Sequence, residues 1–240
     1  YELSVLYRES DLDTIWPLQS SDVIYMADGA HPPQKLSRYD LDNWTIAEWQ
    51  LQNGPFKVQN LDEAKTVSCS AATGSITLTG SGGPFSASLV GSMMLRPTDI
   101  TDIPIWTGNT EAAVGDLFRY DGNIYKLTAV LADSEGNFKT GVIAPVHTEG
   151  EQITDKTSGS TYKFISDLVG IVRITAVASS NSATADVIKT IPSPCVSAAT
   201  YRWSEGAWSA THGYPSVIEN IKQRIAASGS ASEPRTIWFS

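Results

Sequence analysis

Val23-Ile24-Tyr25-Met26-Ala27-Asp28-Gly29 is a short apolar run closed by an Asp-Gly turn, and Pro33-Gln34-Lys35-Leu36 follows close behind. An apolar run bounded by turn residues reads as a buried strand. Two prolines in succession, Pro32-Pro33, argue against helix there. Far downstream the same order returns: Arg224-Ile225-Ala226-Ala227-Ser228-Gly229, then Pro234-Arg235-Thr236-Ile237. Each copy is a strand, a small-residue turn with Gly, and a Pro that opens a second strand. Hairpins that recur in this way read as propeller blades or as repeated units of one sheet. The expected class is all-β: a propeller-like outer sheet interrupted by a nested β-barrel or sandwich-like insertion.

The sequence outward from these copies is strand-like too. Lys35-Leu36-Ser37-Arg38-Tyr39 alternates after His31-Pro32-Pro33, and Trp44-Thr45-Ile46-Ala47-Glu48-Trp49 alternates again. Ser75-Ile76-Thr77-Leu78-Thr79 keeps period two up to the turn Gly80-Ser81-Gly82-Gly83. Gly170–Val177 and Ala183–Ile188 flank Ser179-Ser180-Asn181-Ser182, which predicts a hairpin. Helix is confined to short candidates at Arg8–Asp13 and Phe85–Val90, and Tyr214–Ile221 reads as strand.

Character shifts along the chain divide it into three parts. Residues 1–56 and 199–240 form a discontinuous propeller-like part. Residues 57–103 and 166–198 form an inserted β domain. Residues 104–165, with their own turns and aromatics, form a small module nested inside it. Insertions at loop tips are tolerated because backbone there has few obligations. The chain starts without Met and stops in a strand-like stretch, so it reads as a fragment of something longer.

Composition limits the function. The 240 residues include 28 serines and 22 threonines, with 17 Lys+Arg against 26 Asp+Glu and a net charge of −9. A basic nucleic-acid footprint is absent. With 41% hydrophobic residues the chain is able to bury a core, so wholesale disorder is excluded. No apolar run is long enough to span a membrane as a helix. Cys69 and Cys195 form no disulfide framework and lack zinc-site spacing, which reads as two free thiols; a bridge between them is the alternative.

No catalytic, metal-binding or cofactor-binding motif is visible. His31, His147 and His212 read as solvated loop histidines without metal-pair spacing. The acids Asp11/Asp13, Asp40/Asp42 and Asp62/Glu63 read as caps on their local backbone. An enzyme would need distant carboxylates that converge in the fold. Seven tryptophans are more informative. In β proteins such rings fill cores or interfaces, and an exposed one can stack on a sugar.

Ser20-Ser21-Asp22-Val23-Ile24-Tyr25-Met26-Ala27-Asp28-Gly29-Ala30-His31-Pro32-Pro33-Gln34-Lys35-Leu36-Ser37-Arg38 resembles the signature of tail nozzle (tail tubular B-like) proteins of short-tailed bacteriophages and prophages. Tyr201–Ser209, Gly213-Tyr214-Pro215-Ser216-Val217, Gln223-Arg224-Ile225 and Pro234-Arg235-Thr236-Ile237-Trp238 resemble the same family in the same order. Ser216 stands where the family usually has Arg, and Met26-Ala27-Asp28 where it has Val-His-Pro. The resemblance implies a structural protein of the virion tail, made in the host cytoplasm and not an enzyme. It implies a homohexameric ring that continues the DNA ejection channel, with a propeller-like β domain. Its partners would be copies of itself, a tail adaptor and fibre proteins, and genome DNA would pass through unread.

Trp106-Thr107-Gly108-Asn109-Thr110, Gly115-Asp116, Tyr120, Gly122 and Tyr125 resemble small chitin-binding-type β modules. In the purely physical reading Gly115-Asp116 and Asp121-Gly122 are tight turns, and Phe118, Tyr120 and Tyr125 pack a three-stranded sheet. The alternative function is then a carbohydrate-binding module or adhesin for host surface glycans, with Trp106, Tyr120 and Tyr125 as sugar-stacking rings. On that alternative Trp106→Ala abolishes glycan retention and leaves the fold intact.

Overall fold

The alternating segments become strands because period-two side chains place one set on a core and the other toward solvent. The structure is a computed structural model that describes residues 2–49, 51–86, 89–97 and 103–239. Strand accounts for 45% of it and helix for 5%, so the all-β class holds.

A 3-10 turn over Glu9–Thr14 precedes an up-and-down meander of β1 (Trp16–Ser20), β2 (Val23–Ala27), β3 (Gln34–Arg38) and β4 (Trp44–Glu48). The chain then supplies β5 (Thr66–Cys69), β6 (Ser75–Ser81) and β7 (Gly91–Leu95). Next come β8 (Leu117–Tyr120), β9 (Asn123–Ala129), β10 (Glu151–Asp155) and β11 (Ser160–Ser166), a sheet in the order β10-β11-β9-β8. That module has four strands where the sequence suggested three; β10 and β11 lie in a Thr/Ser-rich stretch with little apolar alternation.

The return path is β12 (Gly170–Ser179), β13 (Ser182–Lys189), a short helix α1 (Ser193–Ser197) and β14 (Trp203–Glu205). These complete a six-stranded antiparallel sheet, β14-β7-β12-β13-β6-β5. A second meander of β15 (Val217–Ile221), β16 (Arg224–Ser228) and β17 (Ile237–Phe239) closes the chain. Helix α1 escaped the sequence reading, although Pro194 in its first turn is a favourable start signal. Of the suggested helix at Phe85–Val90, Ala87 and Ser88 lie outside the described residues, and the flanking Phe85, Ser86, Leu89 and Val90 are not helical.

Each insertion leaves and re-enters between neighbours. Leu95 and Gly170, either side of the 104–165 module, are register partners. Phe56 and Gly206, either side of the larger insertion, form an antiparallel bridge, extended by Lys57 N–H to Glu205 O at 2.8 Å and Ala207 N–H to Pro55 O at 2.9 Å. One boundary moves. Trp203–Glu205 pairs with β7 in the inserted sheet, whereas the sequence reading grouped residues 199–240 with the outer part. The Trp203 indole is buried in the inserted core and donates Nε1–H to Lys65 O at 2.9 Å, which holds the strand there.

The main core lines one face of the six-stranded sheet. Alternate residues point into it: Val67 and Cys69, Ile76 and Leu78, Met93 and Leu95, Val172 and Ile174, Ala183 and Ala185. Cys195 on α1 joins them. Both thiols are free, and burial pushes each up to about 12, with the other thiol a further cause at Cys195. A second core of Trp106, Phe118, Tyr125, Leu127 and Tyr162 fills the 104–165 module.

The third core is small and joins the two ends of the sequence. Ala27, Ile218 and Ala227 are buried together, with Leu18, Tyr25, Trp49, Trp208 and Ile225 packed around them. Ala27 and Ala227 precede Gly29 and Gly229 by the same two positions, so equivalent residues of the two sequence copies share one core. The link is sealed by backbone: Gly29 N–H donates to Pro215 O and Tyr214 N–H to Gly29 O, both at 3.0 Å.

Candidate functional site

The three candidate glycan residues do not form a stacking surface. Trp106 is 9% exposed and Tyr125 is fully buried. The Trp106 indole donates to Tyr162 Oη at 2.9 Å, and Tyr125 Oη donates to His147 O at 2.9 Å. Both rings are core, because their polar tips find partners inside the module while their faces pack on neighbouring rings. Tyr120 alone keeps substantial surface, at 36% exposure, with its ring edge-on to Trp106 at 5.7 Å. One half-exposed tyrosine is all that this constellation offers a ligand.

The histidines are also not the solvated loop residues the sequence suggested. His31 Nδ1 lies 2.6 Å from Asp28 Oδ2, and the other Asp28 oxygen accepts N–H from Ala30 and His31. Tyr7 meets His31 edge-on, and its hydroxyl is pushed up to about 12 by burial and then by Asp28. His212 Nε2 lies 2.8 Å from Glu205 Oε2. His147 is buried against the Tyr125 ring, and among the described residues neither of its ring nitrogens has a hydrogen-bond partner. These contacts staple turns. Asp11, Asp40 and Asp62 each accept a local backbone N–H, as capping acids do. Among the described residues no group of three or more His, Cys, Asp and Glu is placed to hold a metal ion.

A cleft lined by aromatic and charged side chains lies elsewhere, where the outer meanders meet the inserted sheet. Its floor is the segment after β4. Gly54 adopts φ +110°, and a Cβ there would fall 2.8 Å from the Phe56 ring, so glycine is required. The Gly54–Pro55 peptide is cis. Around this floor an aromatic lobe of about 460 Å³ is lined by Trp49, Phe56, Trp208, Trp238 and Phe239. The volume falls in the range of small-molecule sites. Trp208 and Trp238 meet at 88° with centroids 5.6 Å apart, and Trp49 packs on Tyr25 at 4.9 Å. Each of the three tryptophans is half-buried.

A second, polar lobe of about 190 Å³ shares Trp49, Leu51, Gly54, Pro55 and Trp208 with the first. It adds Glu48 from β4, Ser92 from β7, Arg173 from β12, and Tyr214. Burial, and then the nearby Glu48 carboxylate, push the Tyr214 hydroxyl above its ordinary value. Arg173 is half-buried, with Ser92 and Asp186 as its register partners on the two flanking strands. Among the described residues its guanidinium makes no ion pair or hydrogen bond.

Sequence reasoning counted these tryptophans and did not bring them together. Trp49, Trp208 and Trp238 are spread over most of the chain and converge only because the two ends pair through the third core. The available signal was the repeat itself, since two hairpins of one sheet-building unit bring their flanking residues close. Comparison with protein-family models and with curated proteins finds no match for the chain.

Proposed function

We propose that this chain is a structural component of a short-tailed phage tail, part of the nozzle ring through which the genome is ejected. The observation that carries this reading is convergence. The segments that resemble the nozzle family, at 20–38 and 213–238, are far apart in sequence and share one backbone-bonded unit built around Ala27 and Ala227. The unit consists of two meanders whose end strands, β1 and β4 in one and β15 and β17 in the other, each have a hydrogen-bonded strand partner on one side only among the described residues. Such edges suit a sheet-repeat architecture that continues into further blades or into neighbouring copies. The partners on this reading are five further copies, an adaptor ring and fibres, with the virion as location.

The net charge of −9 suits a DNA conduit. A lumen that attracted phosphates would bind DNA through counterion release and slow its passage. Part of the negative charge therefore faces the channel, and a basic lumen in the assembled ring would overturn this part of the proposal.

The test is negative-stain electron microscopy of the parent protein, alone and mixed with its phage's adaptor. Sixfold rings or short tubes are expected. Dispersed monomers in the presence of adaptor would sink the reading.

A further inference from the structure

We propose that the two-lobed cleft between the outer meanders and the six-stranded sheet binds a neutral saccharide. The aromatic lobe takes the C–H face of a pyranose ring, and Glu48, Arg173 and Tyr214 take its hydroxyls. This site is separate from the 104–165 module, and the inference does not depend on ring assembly.

The chemistry of the lining narrows the ligand. Trp49, Trp208 and Trp238 line a lobe whose other polar side chains are Gln52 and Asn53. A ring with electron-rich faces favours partly positive C–H groups, which a pyranose presents on its flat side. The adjoining lobe carries an acceptor-only group, Glu48, a donor-only group, Arg173, and a hydroxyl that does both, Tyr214. An anionic ligand would meet Glu48 and a cationic one would meet Arg173. Hydroxyls donate and accept, so an uncharged polyol satisfies both groups at once. Among the described residues the half-buried Arg173 guanidinium has no ion pair, which leaves its donor fork accessible to oxygen acceptors.

A proline-rich peptide is the competing occupant, since aromatic grooves bind polyproline II segments. Such a segment supplies carbonyl acceptors and almost no donors, so it would engage Arg173 and leave the exposed Glu48 carboxylate to water. The saccharide matches both lobes.

The test titrates the folded chain with maltopentaose, cellopentaose and mannopentaose, following tryptophan fluorescence and heat. A hyaluronan tetrasaccharide and a polyproline decapeptide serve as comparators. At least one neutral saccharide is expected to bind in the micromolar to millimolar range and to perturb tryptophan emission. Trp238→Ala and Arg173→Met are each expected to weaken it about tenfold or more. Trp238 lies outside the small core formed around Ala27 and Ala227, and Arg173→Met keeps the side-chain stem, so circular dichroism is expected to match wild type. Arg173→Met alone remains decisive if Trp238→Ala misfolds. No response to any neutral saccharide up to about 10 mM overturns the proposal. So does preference for hyaluronan or polyproline, or affinity unchanged in Arg173→Met.

Discussion

Gly229 faces Ser216 so closely that a Cβ on the glycine would lie 2.2 Å from the serine Oγ. The same serine stands over Gly29, where an added Cβ would lie 3.2 Å from its own Cβ. Both glycines are left-handed, with φ of +82° at Gly29 and +79° at Gly229. Ser216 therefore sits between the turns of the two sequence copies, and its hydroxyl donates to Gly229 O at 3.2 Å.

Gly229→Ala is expected to destabilise the outer unit in two separable ways. Overpacking against Ser216 costs about 1–3 kcal/mol, and the left-handed backbone adds about 1–2 kcal/mol for a residue with a Cβ. Urea unfolding checks the total. In a Ser216→Gly background the overpacking part disappears and the backbone part stays; equal losses in both backgrounds would refute the wedge.

Trp106→Ala is expected to open the 104–165 module. Truncating a buried aromatic side chain costs about 3–5 kcal/mol, and here it also removes the bond to Tyr162. This reverses the outcome expected of a surface stacking residue, for which the fold would survive. Hydrogen exchange is the measurement: amides of β9 and β11 should lose protection while those of β12 and β13 keep theirs.

Acid is expected to loosen the same module first. Lys139, 2.8 Å away, and then the Asn137 N–H hold the Asp133 carboxyl down to about 2. N–H groups of Val142, Thr157 and Ser158 hold the buried Asp155 below the ordinary value. A carboxyl depressed by folding stabilises above its unfolded pKa, near 3.9, and that contribution fades as pH falls toward the folded value. The loss should therefore develop between about pH 4 and pH 2, followed by hydrogen exchange or tryptophan emission. Asp155→Asn should destabilise the module at pH 7 by about 1–3 kcal/mol, the cost of weakening the buried acceptor of three backbone N–H groups. Unchanged stability in that variant would refute the role given to Asp155.

The parts of this fold that were legible in sequence are those set by local pattern. Gly29 and Gly229, each after an apolar run, mark true turns, and the alternation at 170–188 gives a true hairpin. Aromatic roles were not local. Trp106 and Tyr120 look alike in a turn-rich stretch, and only the packing of Tyr162 from a distant strand buries one and leaves the other at the surface. His212 misled for the same reason, since its partner Glu205 is supplied by a different element. Trp49, Trp208 and Trp238 carry no common motif, because what unites them is a tertiary junction.

That junction bears on the order in which the chain becomes structured. Phe56 and Gly206 are bridged across about 150 residues, a closure that costs roughly 4 kcal/mol of entropy for a flexible loop. Once the six-stranded sheet has formed, those two residues are already neighbours and the cost is largely met. The interior of the sequence is therefore expected to act as a template that forms before its own ends dock, so that the long-range outer pairing, slow in β topologies, becomes an event between preassembled edges. A lesion in the β7–β12 pairing would then leave the two terminal meanders sticky and unclosed, a hazard of aggregation rather than a simple loss of a contact.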